Sequence, residues 1–115
     1  MIVGDKTFAA KNVTVKVFNN TGASQLLTNV QITWPQGTNG NLTKITLNGA
    51  TIFNTSTGGG SLNTSSFVGT AAQRTIASGS CGTFAFGFQS NVSTNPANYT
   101  GQLTFSPFGP VTILP

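Results

Sequence analysis

The sequence predicts an all-β domain, a sandwich of seven to eight short, mostly antiparallel strands. Three observations carry that expectation. Apolar and polar residues alternate with a period of two in one segment after another, an Asn-Gly pair separates two such segments, and no 3.6-residue apolar period is sustained anywhere. The 115 residues amount to one domain, since domains most often run to about 100 to 150 residues.

The elements follow in order. Residues 1–10, Met-Ile-Val-Gly-Asp-Lys-Thr-Phe-Ala-Ala, precede the first regular alternation. They read as an N-terminal extension, either an ordinary first strand or frayed terminus of the same domain or a strand that pairs with a neighbouring subunit, and residues 11–115 read as the sandwich. Over 12–18, Val13, Val15 and Val17 share one face and Thr14 and Lys16 the other, because successive side chains of a strand point oppositely. Residues 27–34 repeat the device with Val30, Ile32 and Trp34, and Pro35, which has no ladder donor, ends the strand. Residues 35–40 are turn chemistry. Lys44 to Leu47 and Ala50 to Phe53 flank Asn48-Gly49, a pair that tolerates the positive φ angles of a tight hairpin turn.

Beyond the glycine-rich loop 54–60, residues 61–68 form a weaker strand candidate and 70–76 the one stretch able to hold a helical turn. In 83–88 the rings of Phe84, Phe86 and Phe88 fall on one face, opposite Ala85 and Gly87, and are expected at the heart of the core. Strands at 100–105 and 111–114 complete the set, punctuated by Pro107 and Pro110. Short strands closely spaced by turns describe an immunoglobulin-like β-sandwich, without the Cys-Trp-Cys signature that would staple its sheets. A small barrel is the alternative architecture.

Composition narrows the chemistry. Thr, Gly, Asn and Ser fill 55 of the 115 positions, against one acid (Asp5), no His and one Cys (Cys81). The chain therefore cannot supply a carboxylate pair, a Ser-His-Asp relay, a Cys-His dyad or a four-ligand zinc site, so no enzyme, metal or cofactor is expected. Net charge is +4, but Lys6, Lys11, Lys16, Lys44 and Arg74 are scattered where a nucleic-acid site needs clustered cations. No run of 18 apolar residues offers a membrane span. No signal peptide is visible at Met1, which fits a mature product or excised fragment, or a protein kept inside the cell or exported by another route.

The runs Ile32-Thr33-Trp34-Pro35, Asn41 to Ile52, Arg74-Thr75-Ile76-Ala77-Ser78-Gly79, Phe84 to Phe88 and Tyr99 to Phe105 resemble poorly characterised immunoglobulin-like domains of prokaryotic secreted and surface proteins. The resemblance implies a β-sandwich used as an extracellular building block. It brings no enzymatic activity and no binding residue.

Four sets of residues remain as candidates. Asn-x-Ser/Thr sequons begin at Asn12, Asn19, Asn41, Asn54, Asn63, Asn91 and Asn98. Chance placement of 12 Asn among 29 Ser and Thr gives about three such triplets. They are glycan sites, or the passive product of a Thr/Asn-rich strand pattern. Cys81, being unpaired, is either a small buried residue beside Gly82 or a thiol that is free or bonded to another chain. Trp34 and Tyr99 are either core rings or a sugar-stacking platform. Ile2, Val3 and Phe8 are the candidate subunit contacts of the first ten residues, since an outer strand with so few guarding charges invites strand addition. The reading these support is an extracellular structural subunit of a pilus-like or other surface filament, with copies of itself as partner. A carbohydrate-binding module of a secreted enzyme or adhesin is the second reading and a virion surface domain the third.

Overall fold

A computed structural model describes all 115 residues. Two antiparallel five-stranded sheets pack face to face as an all-β sandwich of ten strands. The first sheet has the order β1 (Ile2–Ala9), β2 (Asn12–Phe18), β8 (Cys81–Phe88), β4 (Leu42–Leu47), β5 (Ala50–Phe53). In the second, β10 (Gly109–Leu114), β9 (Thr100–Ser106) and β3 (Gln25–Thr33) lie side by side, and β3 pairs at one end with β6 (Ser61–Thr64) and at the other with β7 (Thr75–Ile76). One short helix, α1 (Gln36–Asn39), and 3₁₀ turns at Ala72–Arg74 and Pro96–Asn98 complete the chain. The turn at 72–74 falls in the stretch expected to hold one. No helix is long and apolar enough to cross a membrane.

The alternation works as its period requires. Val13, Val15 and Val17, Phe84, Phe86 and Phe88, and Leu103 and Phe105 all point between the sheets, where 23 apolar residues form one core. The three phenylalanines are spread through it. Phe84 meets Phe105 edge-on across the sandwich at 6.3 Å and Phe88 meets Trp34 at 5.6 Å. On the outer face the smallness of Gly87 leaves room for the Lys44 stem, whose Cγ stands 3.3 Å from where a Cβ would be. The Asn48-Gly49 hairpin forms as expected, with φ of 50° and 84° and Leu47 paired with Ala50.

The boundary placed after residue 10 is corrected. Residues 2–9 turn back at Ala10 and Lys11 and run antiparallel along β2, so the first ten residues belong to the first sheet as its outer strand. Val3 and Phe8 stand opposite Val17 and Val13 and point inward, which is why they pack against the core. A register shift between Val3 and Lys6 breaks the alternation that would have marked this strand. The molecule measures 40 × 25 × 21 Å. At one end, the Trp34 end, lie the β1–β2 turn, α1 and the loop 89–99. At the other, the Cys81 end, β1 and β8 begin, β2 stops, and the β4–β5 and β9–β10 hairpins turn.

Candidate functional site

Register brings together two residues that the sequence offers separately. Ile2 stands opposite Phe18, and Phe18 opposite Cys81, so the three side chains form a row across β1, β2 and β8 on the outer face of the first sheet. Ile2 is 52% exposed and the Cys81 thiol is exposed, which removes the reading of Cys81 as a small buried residue. The strand phase explains it: Cys81 lies on the face opposite Gly82, and Gly82 is the one turned into the core. The row borders a shallow hollow of about 170 Å³ that Gly4, Asp5 and Lys16 also line. Sequence reasoning passed over Phe18, Asp5 and Lys16. The signal for Phe18 was present, since it is an aromatic residue in phase with Thr14 and Lys16 on the polar side of its strand. Of the three expected subunit contacts, only Ile2 is available to a neighbour. Val3 faces the sandwich, and the Phe8 ring leans on Tyr99 at 5.1 Å.

The sugar-stacking platform is not formed by the expected rings. Trp34 is 4% exposed and Tyr99 1%. The Trp34 indole N–H donates to the Gly40 carbonyl at 2.9 Å and to Gln36 Oε1 at 3.1 Å. The Tyr99 hydroxyl donates to the Ser93 carbonyl at 2.8 Å and accepts from Asn39 Nδ2 at 3.0 Å, while Asn39 Oδ1 accepts from the Ser93 N–H. Both rings therefore lock the loops of the Trp34 end to the core. Burial pushes the Tyr99 phenol above its ordinary value, with the Asn39 hydrogen bond opposing.

Six of the seven sequon asparagines are exposed or half-buried. Asn12, Asn41, Asn54, Asn91 and Asn98 flank strand ends at the Trp34 end, and Asn63 lies on β6 opposite Gln31 in the same half. The seventh, Asn19, is at the Cys81 end and fully buried. Its Nδ2 donates to the carbonyls of Ala23 and Ile76, both at 2.8 Å, and its Oδ1 accepts from the Thr21 N–H and hydroxyl. Both amide hydrogens are engaged, so a folded chain has no room for a glycan there.

The outer face of the second sheet is different in kind. Register aligns Thr112, Gln102, Gln31 and Asn63 in one row and Thr100, Thr33 and Ser61 in the next. A hollow of about 330 Å³ lies on it, lined by Gln31, Thr33, Thr100, Gln102 and Thr112, with Gly101 and Leu114. It offers amides and hydroxyls and no charge. Comparison with family models, curated proteins and solved structures finds no match to this chain.

Proposed function

We propose that the protein is an extracellular structural subunit of a pilus-like or other surface filament, and that it assembles with copies of itself through exposed sheet edges. The observation that carries this reading is β1. It is the longest of the outer strands, eight residues against six in β10 and four each in β5 and β6, and it is paired on one side only. β10 is guarded by Pro110, which has no N–H to offer, whereas β1 carries no proline. The exposed edge of β1 offers main-chain donors and acceptors to a strand of another subunit. The near absence of proton-handling side chains fits a part that acts by shape and backbone pairing.

Electron microscopy of the intact chain at rising concentration tests this, with Lys6→Pro as control. Ala9 and Asn12 flank the two-residue turn, so Phe8 and Lys6, alternating back from it, direct their N–H groups away from β2. Lys6→Pro removes one outward N–H, together with the bond from Lys6 Nζ to the Pro115 carbonyl at 2.6 Å, and leaves the internal ladder alone. Polymers are expected from the intact chain and not from Lys6→Pro, with unchanged circular dichroism. An intact chain that stays unpolymerised at every concentration sinks the filament, and polymers unaffected by Lys6→Pro sink the β1 edge as its joint.

The uncharged hollow on the second sheet supports a second reading, a module that holds neutral sugar hydroxyls through Gln31 and Gln102. A glycan array decides it: binding should be lost in the Gln31→Ala, Gln102→Ala double variant. Absence of any bound glycan ends this reading.

A further inference from the structure

Two of the three exposed large apolar side chains, Ile2 and Phe108, lie at one end of the molecule, the third, Val68, sits beside β5, and the accessible sequons lie at the other end. Besides the Ile2–Phe18–Cys81 row, the Cys81 end carries Phe108, 48% exposed at the tip of the β9–β10 hairpin, whose N–H is fastened to Gln25 Oε1 at 2.8 Å. The one sequon at this end is Asn19, which is sealed by its own hydrogen bonds. This end would thus remain bare even in a chain whose other sequons all carried glycans.

What fits against it is indicated by charge. Asp5 is the only acid in the chain, and it shares the hollow with one base, Lys16. A surface with one charge of each sign beside an apolar row is complementary to itself. Turned by a twofold axis, a second copy sets its Lys16 against Asp5 and its Asp5 against Lys16, and the two rows close over each other. A twofold contact is the arrangement that makes the same patch serve both sides.

We propose that the Cys81 end is the contact surface between two copies of this chain related by a twofold axis, with the Ile2–Phe18–Cys81 rows packed together and Asp5 facing Lys16 of the second copy. This rests on the self-assembly proposed above and specifies one of its contacts. A twofold contact closes on itself, so it cannot extend a filament alone. Alternated with pairing along β1 edges, it makes the pair of chains, rather than the single chain, the unit that repeats.

Sedimentation equilibrium on intact and Lys6→Pro chains tests the contact. Lys6→Pro, with its edge blocked, should remain a dimer. Adding Asp5→Lys should weaken that dimer at least about tenfold, and combining Asp5→Lys with Lys16→Asp should restore it. Cys81 gives a reading of proximity: diamide takes one hydrogen from each of two thiols and leaves a disulfide, so the Lys6→Pro dimer should be cross-linked through Cys81. Asp5→Asn adds a third arm, because it completes an Asn-Lys6-Thr7 sequon. The variant secreted from a glycosylating cell, which keeps Lys6 and so its open β1 edge, should give no Cys81 cross-link with diamide until its glycan is enzymatically removed. If intact chains form polymers while the Lys6→Pro chain is monomeric, or if dimers form but ignore the charge reversals and do not cross-link at Cys81, this contact is overturned and the edge joint stands. If no association of any kind occurs, both proposals fall.

Discussion

Tyr99 is the chain's one tyrosine, so its ionisation can be followed without interference from another phenol. Burial favours the neutral form and raises its pKa above the ordinary value of about 10. Between the unfolded and folded values the folded chain holds a proton that the unfolded chain has lost. The stability tied to this group is therefore fully present below about pH 10 and is lost as pH rises through the folded value. A phenolate absorption titration should give a midpoint above 10 in the native protein and near 10 in denaturant. Equal midpoints would mean that Tyr99 is not packed under Phe8 and Asn39. Tyr99→Phe should abolish this contribution to alkaline unfolding. It should also cost about 1 to 3 kcal/mol at neutral pH, because Asn39 Nδ2 and the Ser93 carbonyl lose their shared partner.

At the scale of the element, the two glycines Gly49 and Gly82 separate backbone conformation from space. Gly49 has φ of 84° with nothing within 4 Å of a Cβ, so Gly49→Ala should cost about 1 kcal/mol through conformation alone. At Gly82 a Cβ would stand 2.5 Å from Ile76 Cδ1 and 3.0 Å from Leu47 Cδ1, inside the core. Gly82→Ala should cost about 1 to 3 kcal/mol by overpacking, and trimming Ile76→Val in the same chain should relieve part of it. Urea denaturation of four variants, Gly49→Ala, Gly82→Ala, Ile76→Val and the Gly82→Ala, Ile76→Val double, checks both, and additivity of the last pair would deny that the two residues touch. The hairpin around Gly49 was legible in the sequence because a local rule governs it, and so were β2 and the phenylalanine face of β8, where strict alternation survives. For β1 the sequence left an ordinary first strand and a donor strand as alternatives, because the irregularity between Val3 and Lys6 disrupts its period. Two-residue β7 and four-residue α1 are too short to show any period at all. Ile2 and Cys81 could each be named from the sequence, but their adjacency through Phe18 is a matter of register between strands far apart in the chain. The burial of Asn19 was likewise invisible, since a sequon triplet does not reveal which carbonyls its amide will meet.

For the whole molecule, charge is scarce: five bases and one acid on 115 residues leave little self-repulsion to keep copies apart. Polar uncharged surface, and glycans if they are attached, must then do that work, and their placement decides which faces stay sticky. Secretion of the chain from a glycosylating eukaryotic cell, followed by site mapping in isotope-labelled water, should find glycan on the set Asn12, Asn41, Asn54, Asn63, Asn91 and Asn98, and none on Asn19. The reason is physical. Oligosaccharide transfer to Asn19 would replace an amide hydrogen that donates to Ala23 or Ile76 and would force a bulky group into a site with no exposure. Chains modified there should fail to fold, so secreted material should be bare at Asn19. Enzymatic removal of the other glycans should then lower solubility by exposing the Trp34 half, while association at the Cys81 end, where no sugar stood, should remain as strong as before. Folded, secreted chains carrying sugar on Asn19 would contradict both the hydrogen-bonded turn around that residue and the division of the surface into a decorated end and a bare one.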